Sequence, residues 1–292
     1  MNIGFIGLGG MGRPMAEHLL AAGYPLRVWS RRRQAATGLL ALGAEFAANP
    51  AALAAQCEIV CTNVTGDDDV LALAEELRGG LSAGAIHVDF STISPASARI
   101  VAERHAACAV DFVDAPVSGG TAGARAATLA IMWGGKAELA ARLQPLFACL
   151  AKTVVRVGDS GAGQVAKACN QLVMVAAIEA CAEAAHLATA AGVDFARVRT
   201  ALQGGSAASR VVDFFGDKML RGDFAAGIEA RLHHKDIGMI MAAATRSNIP
   251  LPIGSILRQH PAAATRGAHG CRLRRRRQLA PAERSAACRR PN

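Results

Sequence analysis

Hydrophobic positions in the first half of this chain fall in short continuous runs, each followed by a longer stretch of helical period. The runs lie near 2–7, 25–29, 58–62, 85–89, 110–113, 128–133 and 153–157. Between them, near 11–22, 33–42, 67–76, 95–106 and 136–149, apolar residues recur at three- and four-residue spacing. Apolar runs of this length predict strands buried on both faces. Their alternation with helices predicts an α/β fold with a doubly wound parallel sheet and right-handed crossovers. From Gly161 the pattern switches. One long Ala-rich helix is predicted over 163–191, closed by Gly192, with further helices near 194–203, 208–220 and 230–246. The chain therefore divides into an α/β domain over 1–160 and an all-α domain over 161–257, with the long helix as connector. Ligands of open α/β sheets sit beyond the carboxyl ends of the strands, so a cleft is expected between the two.

The first strand-to-helix turn carries the first chemistry. Ile3, Phe5 and Ile6 lead into Gly7-Leu8-Gly9-Gly10-Met11-Gly12, which places glycines at G-x-G-x-x-G spacing before helical period resumes at Met15. Gly7 suits the tight turn, Gly9 the approach of a pyrophosphate, and Gly12 close packing of helix on strand. The helix N-terminus offers N–H groups to the phosphates. A strand before and a helix after the motif predict a Rossmann-type dinucleotide site. The second strand then runs into Ser30-Arg31-Arg32-Arg33, with no acid within reach along the sequence. An acid at this place accepts the ribose hydroxyls of NAD, whereas an Arg meets the 2′-phosphate of NADP. We expect NADPH in preference to NADH, with Ser30, Arg31 and Arg32 at the phosphate.

The formal net charge of +9 over 292 residues changes meaning once it is located. Residues 258–292 hold ten Arg and one acid, Glu283, so the remaining chain is neutral. The folded body carries no electrostatic footprint for nucleic acid, and the basic tail, poor in large aliphatics, is expected to be largely disordered. Eight cysteines are scattered without a C-x-x-C pair or metal-ligand spacing, the usage of reduced thiols in a cytoplasmic protein that binds no metal. No secretory segment and no apolar run long enough for a bilayer is apparent, so no membrane partner is expected.

Five ordered segments resemble the β-hydroxyacid dehydrogenases, the family of 3-hydroxyisobutyrate dehydrogenases and related semialdehyde reductases. They are Gly7–Ala16, Asp89-Phe-Ser-Thr-Ile-Ser-Pro95, Asp114-Ala-Pro-Val-Ser-Gly-Gly120 running on to Gly134-Gly135, Gly161–Gln171, and Leu232-His-His-Lys-Asp236. The resemblance spans residues 1 to about 257 and implies hydride transfer between NADPH and a small carboxylate-bearing semialdehyde or β-hydroxyacid, in a homodimer or homotetramer. It also implies that Thr92 and the loop Asn63-Val64-Thr65 approach the nicotinamide side of the cofactor, and that Lys235 reaches back to cofactor and substrate, with Asp236 orienting it. Thr65 stands where the family usually has Pro. Three details resemble the tartronate semialdehyde reductase (2-hydroxy-3-oxopropionate reductase) branch: Asn170-Gln171, the segment Ile178–Ala184, and Arg197–Gly205 followed by Ala208-Ser209-Arg210. 3-Hydroxyisobutyrate, succinate semialdehyde and glyoxylate remain alternative substrates.

Aldehyde reduction needs a proton for the oxygen that becomes an alkoxide, and a lysine ammonium held within reach can supply it. Lys167 lies one turn into the long helix, with Asn170 and Gln171 at i+3 and i+4 on the same face. Its apolar flanks, Val165, Ala166, Ala168 and Cys169, predict partial burial and a lowered pKa. Lys167 is therefore the candidate general acid. Ser118, Gly119 and Gly120 supply a hydroxyl and unobstructed N–H groups as an anion nest for the substrate carboxylate, and Asn170 and Gln171 line the substrate side. His233 and His234, adjacent and without acidic or Cys partners, read as structural or rim residues.

The tail bears on activity. After Leu257 the amphipathic helix expected of the family gives way to an Arg-, Ala- and Pro-rich stretch, which we read as a change of reading frame in a GC-rich gene. A catalytically silent NADPH-binding protein and a nucleic-acid binder acting through the tail are the competing readings.

Overall fold

The computed structural model describes residues 1–223 and 230–259. The expected tail, its proposed frame change, Cys271 and Cys288 lie outside the described residues. Nine strands form one sheet: β1 Ile3–Ile6, β2 Leu26–Trp29, β3 Glu45–Phe46, β4 Ile59–Thr62, β5 Ile86–Asp89, β6 Asp111–Asp114, β7 Val117–Ser118, β8 Leu129–Gly134 and β9 Ala151–Gly158. Their order is β3-β2-β1-β4-β5-β6-β8-β7, with β9 paired to β8. The six strands from β3 to β6 are parallel, as the alternation predicts. One edge differs. β8 runs antiparallel to β6, meeting it at Asp114↔Gly134, and antiparallel to β7. A parallel return needs a crossover long enough to cover a sheet face. Here the connection is spent on β7 and a six-residue helix, so the chain comes back reversed.

Helices α1 Gly12–Ala21, α2 Thr37–Ala41, α3 Pro50–Ala54, α4 Asp67–Arg78, α5 Pro95–Ala106, α6 Gly120–Arg125 and α7 Ala140–Ala148 cover the sheet. The helix expected over 33–42 begins instead as a tight 3-10 turn, Arg33–Ala36. β1, β4 and β5 are buried along their whole length; β1 and β4 read as near-continuous apolar runs, whereas β5 alternates and buries His87 and Asp89 as well. Ile3, Phe5, Val28 and Phe90 pack on one face of the sheet; Ile6, Leu53, Val60 and Leu77 pack on the other. α5 starts where Ser94 Oγ accepts the Ser97 N–H at 3.1 Å and Pro95 opens the first turn.

The described chain beyond β9 is helical: α8 Ala162–Ala190, α9 Phe195–Gln203, α10 Arg210–Arg221, α11 Ala230–Arg246 and α12 Pro252–Gln259. Gly161 enters α8 with a left-handed φ of +90° and Gly192 follows its end at +74°. α8 packs against β6 and β8 at its start and against α10 and α11 along its length. The expectation that no segment could span a bilayer needs correcting for α8. By length and composition alone its 29 residues would suffice, because Ala-rich sequence is more apolar than its few large side chains suggest. Its first turns are nevertheless fixed to the α/β domain through buried Gln164 and Lys167, and buried Gln171 ties the helix to Asp236 of α11. The six described cysteines are free thiols; Cys57, Cys61 and Cys181 are buried, while Cys108 and Cys169 are exposed.

Candidate active site

The glycine turn after β1 shows three different constraints. Gly7 has φ +97°, and a Cβ there would lie 2.0 Å from the Asn63 carbonyl oxygen. A Cβ on Gly12 would lie 2.0 Å from the Gly7 carbonyl oxygen, so α1 could not seat against β1. Gly9 is exposed and has no atom within 4 Å of where its Cβ would be. Nothing among the described residues demands glycine at that place, and the open space leaves room for a close backbone approach by a ligand. α1 has no side-chain cap and no acid in its first turn, so no side chain competes with a ligand for its N-terminus, although the Arg13 N–H already donates to the Gly9 carbonyl at 3.1 Å. Leu8 is buried beneath the turn; Gly10 is exposed and Met11 is half-buried. These residues fit a pyrophosphate.

At the end of β2, Arg31, Arg32 and Arg33 line a cavity of about 490 Å³ with Gln34, Thr37 and Leu40. Ser30, next to Arg31 in sequence, is half-buried. The three arginines differ. Arg33 stacks its guanidinium over the Phe46 ring at 4.4 Å, whereas Arg31 and Arg32 extend from an exposed backbone. The fold supplies an acid that the sequence around β2 lacks: Asp69, in the first turn of α4, lies 3.7 Å from Arg31.

The loops after β4 and β5 meet beside the turn. Ser91 Oγ donates to Asp89 at 2.6 Å and accepts the Val64 N–H at 2.8 Å, tying the two loops together. Thr62 Oγ1 donates to the same Asp89 oxygen at 2.7 Å. Lys235, arriving from α11, donates to the carbonyls of Thr65 and Thr92, both at 2.8 Å, and lies 3.6 Å from Asp236. Thus Val64, Thr65, Thr92 and Lys235, distant in sequence, form one constellation.

Lys167 is 7% exposed, and its Nζ donates to the Val117 carbonyl at 2.8 Å. That bond sets the ammonium directly against the Ser118-Gly119-Gly120 turn, where both glycines have positive φ. Burial lowers the Lys167 pKa to about 8, against the pull of Asp236 and with a contribution from Lys235. Gln171 is buried and donates to Asp236 at 2.6 Å, while Asn170 donates to Gln171 Oε1 at 3.0 Å. The Gln171 side chain is therefore held by protein on both sides. His233 is half-buried, its Nε2 has no hydrogen-bond partner, and burial pushes its pKa below the usual histidine value. Among the described residues no group of three His, Cys, Asp or Glu side chains could hold a metal.

Two further buried residues, Asp114 and Gln164, carry tasks that the sequence pattern does not reveal. Asp114 accepts the N–H groups of Gly161 at 2.7 Å and Gln164 at 2.9 Å, capping α8 from the sheet. The Gln164 amide in turn donates to the Ser91 carbonyl and accepts the Ile93 N–H. The only available signal was that polar residues sat in otherwise apolar surroundings.

Comparison with known proteins gives the family. A family model described as the NAD binding domain of 6-phosphogluconate dehydrogenase matches residues 2–158. A second, described as the NAD-binding of NADP-dependent 3-hydroxyisobutyrate dehydrogenase, matches 161–272, beyond Leu257. The 2-hydroxy-3-oxopropionate reductase of Escherichia coli (strain K12) is 38% identical over 255 residues, covering 86% of this chain and 87% of that one. The 3-hydroxyisobutyrate dehydrogenase of Pseudomonas aeruginosa is 33% identical, covering 88% and 90%. The solved structure of Mycobacterium tuberculosis 3-hydroxyisobutyrate dehydrogenase with L-serine superposes with a TM-score of 0.83 at 30% identity, covering 88% of this chain and 91% of that one.

Proposed function

The chain belongs to the β-hydroxyacid dehydrogenase family of NAD(P)-dependent oxidoreductases, and from that premise we propose that it reduces 2-hydroxy-3-oxopropionate to glycerate with NADPH. The observation that carries the reading is the buried Lys167 ammonium set against the Val117–Gly120 turn. Gly7–Gly12 and the N-terminus of α1 would hold the pyrophosphate, Arg31 and Arg32 the 2′-phosphate, and the Val64–Thr65 and Thr92 loops the nicotinamide end. The reduced nicotinamide, when bound, supplies the hydride. Lys167 supplies the proton. With a pKa of about 8 it is an ammonium at neutral pH, yet acidic enough to release a proton to an alkoxide. In the free protein it rests on the Val117 carbonyl, an acceptor that a substrate oxygen replaces without exposing the charge.

Ser118, Gly119 and Gly120 grip the substrate carboxylate away from the reacting carbon. Because Gln171 is occupied by Asp236, its task is to hold Asn170, whose amide oxygen then accepts a hydrogen bond from the C2 hydroxyl of the substrate. A site built to bond that hydroxyl rejects analogues lacking it, since its acceptor would be left unpaired. The test is kcat/KM for tartronate, methylmalonate and succinate semialdehydes with NADPH. Preference for the first by tenfold or more is expected; equal use, or preference for a substrate without the hydroxyl, would overturn the assignment.

We further propose that the protein self-associates. Val173 and Leu187 of α8 are 70% and 73% exposed, and the edge strand β9 leaves Val154, Val155 and Val157 uncovered. A second copy of the chain would cover these apolar positions of helix and edge strand. A monomeric mass by light scattering at micromolar concentration would contradict this. The free thiols of the described residues suit a cytoplasmic location.

A further inference from the structure

Asp89 and Asp114 stand side by side at the carboxyl ends of neighbouring strands, as register partners in the parallel pair β5·β6, and both are fully buried. They face different halves of the site. Asp89 holds Ser91 and Thr62, and through Ser91 the Val64 N–H. Asp114 spends both oxygens on the first turn of α8, at Gly161 and Gln164. Gln164, 1% exposed, closes the circuit: its Nε2 donates to the Ser91 carbonyl at 2.9 Å and its Oε1 accepts the Ile93 N–H at 3.1 Å. The seat has no slack. A Cβ on Gly163 would lie 2.6 Å from the carbonyl oxygens of both Asp114 and Met132, and one on Gly134 would lie 2.8 Å from Asp114 Oδ1. Lys167 is the next residue on the Gln164 face, at i+3.

We propose that Asp114 is a positioning residue for the reaction: its carboxylate fixes the first turn of α8, and hence the Lys167 ammonium, relative to the loops bearing Val64, Thr65 and Thr92. The proposal rests on the reading of Lys167 as general acid. Its chemistry follows from donor and acceptor counting. Ionised, Asp114 accepts both helix N–H groups. Protonated, it turns one oxygen into a donor aimed at an amide donor, and the seat of the helix must shift.

This makes positioning depend on pH. Burial and the neighbouring Asp89 charge raise the Asp114 pKa to about 7, while the two helix amides hold it down. Asp89 on β5 is the titratable group acting on it; Gly161, Gly163 and Gln164 of the α8 entry and Gly134 of β8 pack against it uncharged, and Arg99 of α5 lies on the other side of Gly161. In the reduction direction kcat should therefore fall on the acid side as Asp114 protonates near pH 7, separately from the alkaline loss that Lys167 deprotonation brings.

The experiment compares wild type with Asp114→Asn, which presents an NH₂ to the same helix amide at every pH. Three quantities are measured: kcat from pH 5.5 to 9.5 at saturating NADPH, KM for NADPH, and the apparent pKa of Lys167 in cofactor-free protein by competitive acetylation read by mass spectrometry. The expected variant has kcat lowered about 10- to 100-fold, the scale set by a displacement of about 1 Å. It lacks the acid limb, keeps KM for NADPH within threefold, and shows Lys167 labelling shifted toward its ordinary value. A folded variant with kcat within threefold and the acid limb intact would overturn the proposal. If Asp114→Asn does not fold, the wild-type profile decides: an acid limb near pH 7 supports it, and a flat kcat from pH 7.5 to 6 overturns it. Lys167→Ala separates the two layers. Retained turnover there would refute the reading of the acid itself, whereas an inactive Lys167→Ala beside a fully active Asp114→Asn refutes this inference alone.

Discussion

Replacing Arg31 by Asp should reverse the cofactor preference, and the size of the change can be worked from its surroundings. The Arg31 side chain is 78% exposed and pairs with Asp69 at 3.7 Å. An ion pair so exposed contributes about 0–1 kcal/mol, which is all that must be given up for the guanidinium to turn toward a phosphate. A charge-assisted, bidentate guanidinium–phosphate contact contributes about 1.5–3 kcal/mol. The difference, about 0.5–3 kcal/mol, corresponds to roughly 2- to 150-fold in the NADPH/NADH affinity ratio. Arg31→Asp removes that gain and sets a second carboxylate beside Asp69, so the ratio should fall by at least the lower figure. Fluorescence titration of both nucleotides gives the ratio directly, and the effect should shrink in high salt as exposed charges are screened. Arg33→Ala is the control, because Arg33 is already committed to the Phe46 ring. A ratio changed by less than twofold in Arg31→Asp would refute the assignment of the phosphate to this corner.

Two further predictions follow from the same geometry. With Lys167 the acid at a pKa of about 8, kcat for reduction should fall about tenfold per pH unit above that value, while the reverse oxidation should rise through it, since the amine is then the base; a reduction rate unchanged to pH 9.5 would contradict this. Gly9 and Gly12 should separate stability from binding. Gly12→Ala places a methyl 2.0 Å from the Gly7 oxygen and should lower urea stability by about 2–3 kcal/mol, whereas Gly9→Ala meets no protein atom within 4 Å and should keep stability but weaken NADPH binding at least tenfold. Equal effects of the two on stability would show that the open space at Gly9 is not kept for a ligand.

Sequence periodicity located the strands that became β1, β2, β4, β5, β6, β8 and β9 to within a few residues, because each gathers large aliphatic or aromatic residues, close together in β1 and alternating with polar ones in β2 and β5. β3 and β7, at two residues each, are too short to carry a period. The reversal of β8 left no trace either, since pairing direction depends on how the intervening chain is spent, not on which residues are apolar. β9 was legible as a strand, but its Val154, Val155 and Val157 gave no hint that they lie exposed on an edge. In the site, the glycine turn, the arginines, Lys167 and Lys235 stood out because each sits in a recognisable local pattern. The links between them did not. Asp69 against Arg31, Asp114 under α8 and Gln164 across to Ser91 join residues far apart in sequence, and only the fold brings them together.

The most direct test of the account is single-turnover reduction of 2-hydroxy-3-oxopropionate by Lys167→Ala, with NADPH affinity measured on the same sample. General acid catalysis contributes about 10²–10⁴-fold, so a rate lowered by at least a hundredfold, with the NADPH Kd within threefold of wild type, is the predicted result. Turnover within tenfold of wild type would show that the proton comes from elsewhere.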